Sequence, residues 1–281
     1  MIIVKFCVGY CDEDFFGDGR YIMLRFLIFA TKPIRYAWDR ITYPAPREIP
    51  KIKQWKGCYE GRPLLIIGNG PSLNNTPLDD FEGCASIGMN KIDLIYSKTK
   101  WRPSLVVCLN NLVVQQNWQA FKSSLVPVFI GWKCRHFLPR SQRKAMNYFL
   151  ANSDNQFSED LAMGAGSSAT VTYIALQFAY YTGANPVVLF GVDHSFKAQG
   201  KPHDIEKKKT EDVDHFDPNY FAKGQFWGIP NLDQSEVEYQ MARDAFERDG
   251  RVVYDATIGG KLQIFEKIPL DKAKEIFNVK K

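Results

Sequence analysis

The feature that most constrains this chain is a continuous apolar run that stops on a polar turn: Pro63-Leu-Leu-Ile-Ile67 followed by Gly68-Asn-Gly-Pro-Ser72. A strand with one wet face alternates apolar and polar residues. A run without alternation has both faces covered, as in a parallel sheet flanked by helices. The pattern recurs. Residues 85–89 end at Asn90, 105–109 at Asn110 and Asn111, and 126–130 at Gly131. Residues 186–192 end at Asp193-His194, and 252–254 at Asp255-Ala-Thr-Ile-Gly-Gly260. Helical signals fall between them. A short helix opens at Thr76, with Pro77 first and Asp79 and Asp80 in its first turn. A long apolar one is opened by Gly164-Ala-Gly-Ser-Ser168 and stopped by Gly183. An amphipathic one covers 235–249, and a last one follows Pro269. This alternation predicts an α/β fold: a Rossmann-like, doubly wound, mostly parallel sheet with an N-terminal extension. Residues 1–60 lack a period and end in Pro44, Pro46 and Pro50, so they read as an arm or small subdomain. Residues 61–281 read as the nucleotide-binding catalytic domain.

Composition narrows the functional classes. The 281 residues are 45% hydrophobic and 24% charged, which excludes a disordered tail, a fibre or a multi-span membrane protein. A net charge of +5 is too small and too dispersed for a dedicated nucleic-acid binder. It suits phosphorylated substrates or an anionic membrane surface. The six cysteines (Cys7, Cys11, Cys58, Cys84, Cys108 and Cys134) form no C-x-x-C pair, which fits a reducing, cytoplasmic setting. The apolar stretch 21–30 contains Arg25 and is too short for a bilayer, which takes about twenty apolar residues. Followed by Lys32, Arg35, Tyr36, Trp38 and Arg40, it reads either as a helix packed on its own domain or as an interfacial segment at the inner membrane face.

Ligands of such sheets bind at the carboxyl ends of the strands, near the switch in strand order. The residues there are Gly68, Asn69, Gly70 and Ser72, then Asn90, Asn110, Asp193 and Thr257. They are mostly amides and hydroxyls, able to meet phosphate and sugar oxygens without charge repulsion, or to serve simply as turn residues. The first turn departs from the dinucleotide fingerprint, with Leu73 at the third glycine position and Asn90 where an acid would hold the ribose, so a nicotinamide enzyme is disfavoured. No Walker pattern exists. Gly166, Ser167 and Ser168 read either as an anion cradle or as plain helix capping. The histidines are His136, His194, His203 and His215, the last three within 193–217, whose charged, lysine-rich part 197–217 reads as a mobile surface loop. A general base is the preferred reading of one of these; a metal cluster built on Asp212-Val-Asp214 and a solvated loop residue are the alternatives.

Taken in order, Ile67-Gly-Asn-Gly-Pro-Ser-Leu73, Asn90, Gly166-Ser-Ser168, Leu189-Phe-Gly-Val-Asp193 and Asp255-Ala-Thr-Ile-Gly-Gly-Lys-Leu262 resemble the family of 6-hydroxymethylpterin diphosphokinase-like proteins. That family includes the motility-associated flagellin glycosyltransferases. The set is similar, more distantly, to the lipooligosaccharide sialyltransferases of Campylobacter. The resemblance covers residues 60–268. It implies a nucleotide held by Asn69, Ser72, Asn90, Gly166, Ser167, Ser168 and Asp193, and a base at His215. Ser195 stands where the sialyltransferases keep a tyrosine on the leaving phosphate, and Asp255 stands where the wider family has asparagine.

The expected function is therefore a glycosyltransferase taking a nucleotide-activated sugar, in its sharpest form a CMP-linked nonulosonate. His215, Asp193 and Ser195 are its expected reacting groups, with no cofactor and no metal, and a glycan or protein is its acceptor. Two readings compete with it. One is a magnesium-dependent diphosphokinase acting on a pterin, with Asp193 and Asp255 on the metal. The other is a nucleotide-binding scaffold without catalysis.

Overall fold

The computed structural model describes residues 32–197, 200–202 and 204–279. The expectations placed on residues 21–30, on Cys7 and Cys11 and on His203 lie outside the described residues. The apolar runs form strands β1 (Leu64–Ile67), β2 (Ser86–Met89), β3 (Leu105–Cys108), β4 (Val128–Gly131), β5 (Asn147–Phe149) and β6 (Val187–Phe190). Strands β7 (Ile205–Lys207) and β8 (Phe226–Gly228) make a separate antiparallel pair. Strands β9 (Val253–Asp255) and β10 (Glu266–Lys267) complete an eight-stranded sheet in the order β10-β9-β6-β1-β2-β3-β4-β5. Every neighbouring pair in it is parallel. The chain winds outward from β1 through β2 to β5, then returns to β6 on the other side of β1. That is the doubly wound, Rossmann-like α/β arrangement.

All four residues of β1 are buried, as are those of β6, which explains their lack of alternation. Leu64, Ile66, Val187 and Leu189 share one core cluster with the helix Val171–Tyr181. On the opposite face Phe190 meets Phe81 edge-on at 5.1 Å, and Phe81 meets Phe277. The Val171–Tyr181 helix is apolar on every side because nearly every residue of it is buried, against β1, β2 and β3 and against the later helix Leu232–Arg248.

In chain order the helices are α1 (Lys32–Thr42), α2 (Ala45–Lys53), α3 (Asn111–Ser123), α4 (Val171–Tyr181), α5 (Leu232–Arg248) and α6 (Leu270–Ile276). Contacts divide the chain into Met1–Tyr43 and Pro44–Lys281. Of the first unit, α1 is described, and its last turn is closed by Thr42 Oγ1 donating to the Trp38 carbonyl at 2.7 Å. Residues 44–60, read with the arm on sequence grounds, fall in the second unit. There α2 packs on the edge strand β5, and the buried Glu48 carboxylate accepts the Tyr148 amide at 2.9 Å. This covers a sheet edge that would otherwise offer unpaired groups.

Three local expectations differ from the structure. The helix expected at Thr76 is two 3-10 turns, Pro71–Asn75 and Leu78–Phe81. The long helix starts at Val171, capped by Thr170, and not at the Gly164–Ser168 turn. The 197–217 segment lies at the surface, with Lys201, Lys207, Lys209 and Glu211 exposed, but it is not irregular and solvated throughout. It contains β7, and Lys208, Asp212, Asp214 and Phe216 are buried. Its buried charges satisfy one another and the backbone, with Lys208 lying 3.9 Å over the Trp227 ring and Asp214 accepting the Lys197 amide at 2.7 Å.

Candidate functional site

Strand order reverses between β1 and β6, so the crevice at their carboxyl ends is where such a sheet places a ligand. Two turns meet there at backbone distance. Gly68 N donates to the Phe190 carbonyl (2.7 Å) and Gly70 N to the Gly191 carbonyl (2.9 Å). A side chain at either glycine has no room. A Cβ on Gly68 would stand 2.2 Å from the Gly191 oxygen, and one on Gly70 would stand 1.8 Å from Asp193 Oδ2. Asp193 closes the junction, accepting from the Ser72 amide (3.1 Å) and the Ser72 hydroxyl (2.7 Å). Burial pushes its carboxyl above the ordinary range against the pull of those two bonds, and the nearby Asp255 charge adds to the rise. Thr257 ties in the third turn by accepting the Val192 amide at 3.1 Å. Asp255, fully buried, holds the Thr257 amide (2.8 Å) and pairs across the strand register with Lys267 Nζ (2.6 Å).

The 212–221 segment lies over this junction. Phe216 N donates to the Asn69 carbonyl (3.0 Å), and Asn74 Nδ2 donates to the Phe216 carbonyl (2.8 Å). These bonds bring His215 beside the first turn. Its Nδ1 lies 2.8 Å from Asp212 Oδ2, and its ring stacks on Tyr220 at 4.0 Å with 1° between the planes. Phe221 and Trp227 stand edge-on to the same imidazole. Asp212 is fully buried and also accepts the amides of Asp214 (2.9 Å) and Phe221 (3.1 Å). Burial works to raise its carboxyl. The His215 hydrogen bond and charge, the Asp214 amide and Lys208 outweigh burial and hold it below the ordinary range. An ionised Asp212 fixes the proton on Nδ1 and leaves the Nε2 lone pair for chemistry.

Lys91 fastens the same segment from the turn after β2. Its ammonium donates to the Tyr220 carbonyl (2.6 Å), to Gln225 (3.2 Å) and to Gln116 (3.3 Å), all uncharged acceptors. Asn69 and Asn90 each bury a side-chain Oδ1 that has no hydrogen-bond partner, and Asn90 adopts the left-handed backbone (φ 51°). Two orphaned acceptors at adjacent strand ends suit a ligand bearing donors, because a buried unpaired carbonyl costs about 1–3 kcal/mol.

The other expected residues are placed differently. Asn110 Oδ1 caps α3, accepting from Leu112 (2.9 Å) and Val113 (3.3 Å). Ser195 is half-buried between His194 and Phe196. His194, with φ 52°, directs Nε2 to Glu236 at 2.9 Å. In the Gly166–Ser168 turn the first two amides are engaged within the chain: Gly166 N with Gln177 Oε1 (2.7 Å) and Ser167 N with the Asp154 carbonyl (2.6 Å). Glu238, buried, takes the Ala169 amide (3.0 Å) and the Ser168 hydroxyl (2.8 Å). This turn therefore carries an anion of its own, delivered by α5. Among the described residues no three His, Cys, Asp or Glu side chains form a metal-holding group.

The structure thus brings together Gly68, Asn69, Gly70, Ser72, Asp193, Thr257 and His215, with Asn90 one strand away. Asp212, weighed in the sequence only as half of a D-x-D pair, is the partner of His215 that reading missed. Its signal was the i, i+3 spacing to His215. Lys91, Glu238 and Lys267 carried no local signal.

Comparison with known proteins gives one fold neighbour and one family. The structure is similar to the MAf glycosyltransferase from Magnetospirillum magneticum AMB-1, with a TM-score of 0.46 and 13% identity over 81% of this chain. The match covers 40% of that chain, so this chain corresponds to well under half of its length. No curated protein matches the sequence. The family profile of 6-hydroxymethylpterin diphosphokinase MptE-like proteins matches residues 43–199, more than half of the sequence and the whole first turn of the crevice. The chain belongs to the MptE-like family.

Proposed function

We propose that the chain transfers a sugar from a nucleotide-activated donor to a hydroxyl acceptor, with His215 as general base. The observation that carries this reading is the His215–Asp212 pair, hydrogen-bonded at 2.8 Å and hung over the Asn69 turn. In the reaction the acceptor oxygen attacks the anomeric carbon and His215 Nε2 takes its proton. The bond from that carbon to the donor phosphate breaks, and the electron pair leaves on the phosphate. The orphaned Asn69 and Asn90 oxygens would accept from ribose hydroxyls or an exocyclic amine of the base.

Two of the lysines near the crevice are engaged within the chain and Lys261 is the exposed one on the third turn, a charge complement that favours a donor with a single phosphate, a CMP-sugar, over a diphosphate. Lys267 is committed to Asp255, and Lys91 to the 212–228 segment. Asp193 and Asp255, the pair a pterin diphosphokinase would need for magnesium, are already held by Ser72, Thr257 and Lys267.

Incubating the protein and its His215→Ala variant with a panel of nucleotide sugars tests the reading. Turnover of a CMP-sugar that falls by about 10²–10⁴ in the variant supports it. Equal turnover by both removes His215 as base. A thermal-shift screen of CMP, UDP, GDP, ATP and a pterin reports the base preference directly, since a ligand stabilises the state it binds. A magnesium-dependent shift with ATP would instead support diphosphate transfer.

A further inference from the structure

We infer that the third turn of the crevice, residues 257–261, seats the donor's phosphate, with the Lys261 ammonium as its counter-charge. Such a seat presupposes the nucleotide-sugar donor proposed above. Two other turns that offer backbone donors are already engaged. In the first turn the amides of Gly68 and Gly70 go to the Phe190 and Gly191 carbonyls, and that of Ser72 goes to the Asp193 carboxylate, whose charge would repel a phosphate. In the Gly166–Ser168 turn Glu238 already fills the place of an anion, on the Ser168 hydroxyl and the Ala169 amide.

The third turn is closed but unoccupied by the chain. Gly260 N donates to the Thr257 carbonyl (3.3 Å), and Lys261 N donates to the Asp193 carbonyl (2.9 Å), which pins the turn to the β1–β6 junction. Between those bonds the amides of Ile258 and Gly259 donate to no group among the described residues, and both residues are exposed. A Cβ on Gly259 would meet nothing within 4 Å, so the space beside the turn is open. Charge points the same way. Lys261 is exposed, and its ammonium has no partner among the described residues. Lys267, by contrast, is held by the Asp255 carboxylate and the Gly260 carbonyl. Lys197 is also exposed, but its amide is bound to Asp214 and not to a turn of the crevice. A phosphate entering beside Asp193 and Asp255 needs a cation. Lys261, with its backbone fixed to Asp193 and its ammonium on a flexible four-carbon stem, supplies a point charge of the kind that binds phosphate.

Titration calorimetry of the full chain with CMP, and with cytidine, which lacks the phosphate, tests this at low and high salt. Lys261→Gln should weaken CMP binding by about 10–100-fold, the loss of one charge-assisted hydrogen bond, and should remove most of its salt dependence. Cytidine should bind the wild type and Lys261→Gln alike. Lys261→Arg, which keeps the charge, should restore CMP binding to within a few-fold, and Lys197→Gln should leave it unchanged. CMP binding that is equal in wild type and Lys261→Gln overturns the seat and leaves the donor reading standing. So does a loss that Lys261→Arg does not restore, a loss shared equally by cytidine, or a loss found in Lys197→Gln instead. A wild-type chain that does not bind CMP removes the CMP-sugar donor itself, and the seat with it.

Discussion

Replacing Asp212 by asparagine removes one charge and leaves the shape of the site, so its effects can be worked from the contacts. The carboxylate holds three donors: His215 Nδ1 and the Phe221 amide on Oδ2, and the Asp214 amide on Oδ1. Asparagine keeps one acceptor oxygen. Left on Asp214, it turns its NH₂ toward the Phe221 N–H and the imidazole. His215 then satisfies it only by accepting at Nδ1, which moves the ring proton to Nε2 and removes the base. A charge-assisted hydrogen bond contributes about 1.5–3 kcal/mol, so losing the Phe221 contact and weakening the Asp214 contact should cost about 3 kcal/mol of stability. Turnover should fall by about 10²–10⁴. The stability of the wild type also carries a sign. A carboxyl held below its ordinary value of 3.8 adds stability that is complete above that pH and is lost as the pH falls through the lower folded value. Asp212→Asn should flatten that acid limb in urea titrations. The tautomer is read independently of any substrate by ¹⁵N shifts of the His215 ring on the neutral limb of a pH series. Identical ring shifts in wild type and Asp212→Asn would refute the reasoning, whatever the activity.

Four further outcomes follow from the same contacts. Gly70 has an ordinary backbone (φ −71°), so alanine there is opposed only by the Asp193 carboxylate 1.8 Å away. Expelling that group from Ser72 should cost about 2–4 kcal/mol in urea unfolding, and a wild-type midpoint would deny the close approach. Lys267→Met strands the buried Asp255 charge. Because the lysine is one-third exposed, the expected loss is about 2–3 kcal/mol, below the 3–5 of a fully buried pair, and Asp255→Asn in the same chain should restore part of it. Lys91 is pushed down to about 8, chiefly by burial, against the pull of Asp93 and Asp212. The unfolded chain, titrating near 10.5, binds more protons between those values, so wild-type stability should rise from pH 8 upward by as much as roughly 3 kcal/mol. Lys91→Met should lack that slope, and an equal slope in both chains would contradict the burial argument. Glu236→Gln should leave donor turnover within about twofold, since its partner contact is solvent-screened.

What the sequence showed and what it hid divide along physical lines. Strands β1, β2, β3, β4, β6 and β9 were legible because burial on both faces leaves an unbroken apolar run. β10 was not, because Glu266 and Lys267 are exposed and join the sheet only through pairing with β9. β7 was hidden in a charged segment whose lysine and aspartates fold inward together, and β8, three residues long, pairs only with it. The asparagines at the strand ends looked alike, yet Asn110 caps a helix while Asn69 and Asn90 keep orphaned oxygens; that distinction rests on α3 and on the turn around each residue. The Gly166–Ser168 turn looked open from its own residues. Its occupant, Glu238, comes from seventy positions along the chain, and no local pattern announces it.

Two histidines at this crevice each carry a carboxylate, and burial of the carboxylate separates their roles. Glu236 beside His194 is 52% exposed, so water competes for the carboxylate and the pair contributes at most about 1 kcal/mol. Such a contact steers a ring without fixing which nitrogen holds the proton. Asp212 beside His215 is fully buried and held by two backbone amides besides the imidazole. Turning His215 over would leave that carboxylate short of a donor where no water replaces it, a cost of several kcal/mol. Tyr220 stacks flat against the same ring, and Lys91 fastens Tyr220 through its carbonyl. The tautomer of His215 is thus set by groups from the turn after β2 and from the 212–221 segment together. A base in that position keeps its lone pair oriented before any acceptor arrives, which is the condition for proton transfer without reorganisation.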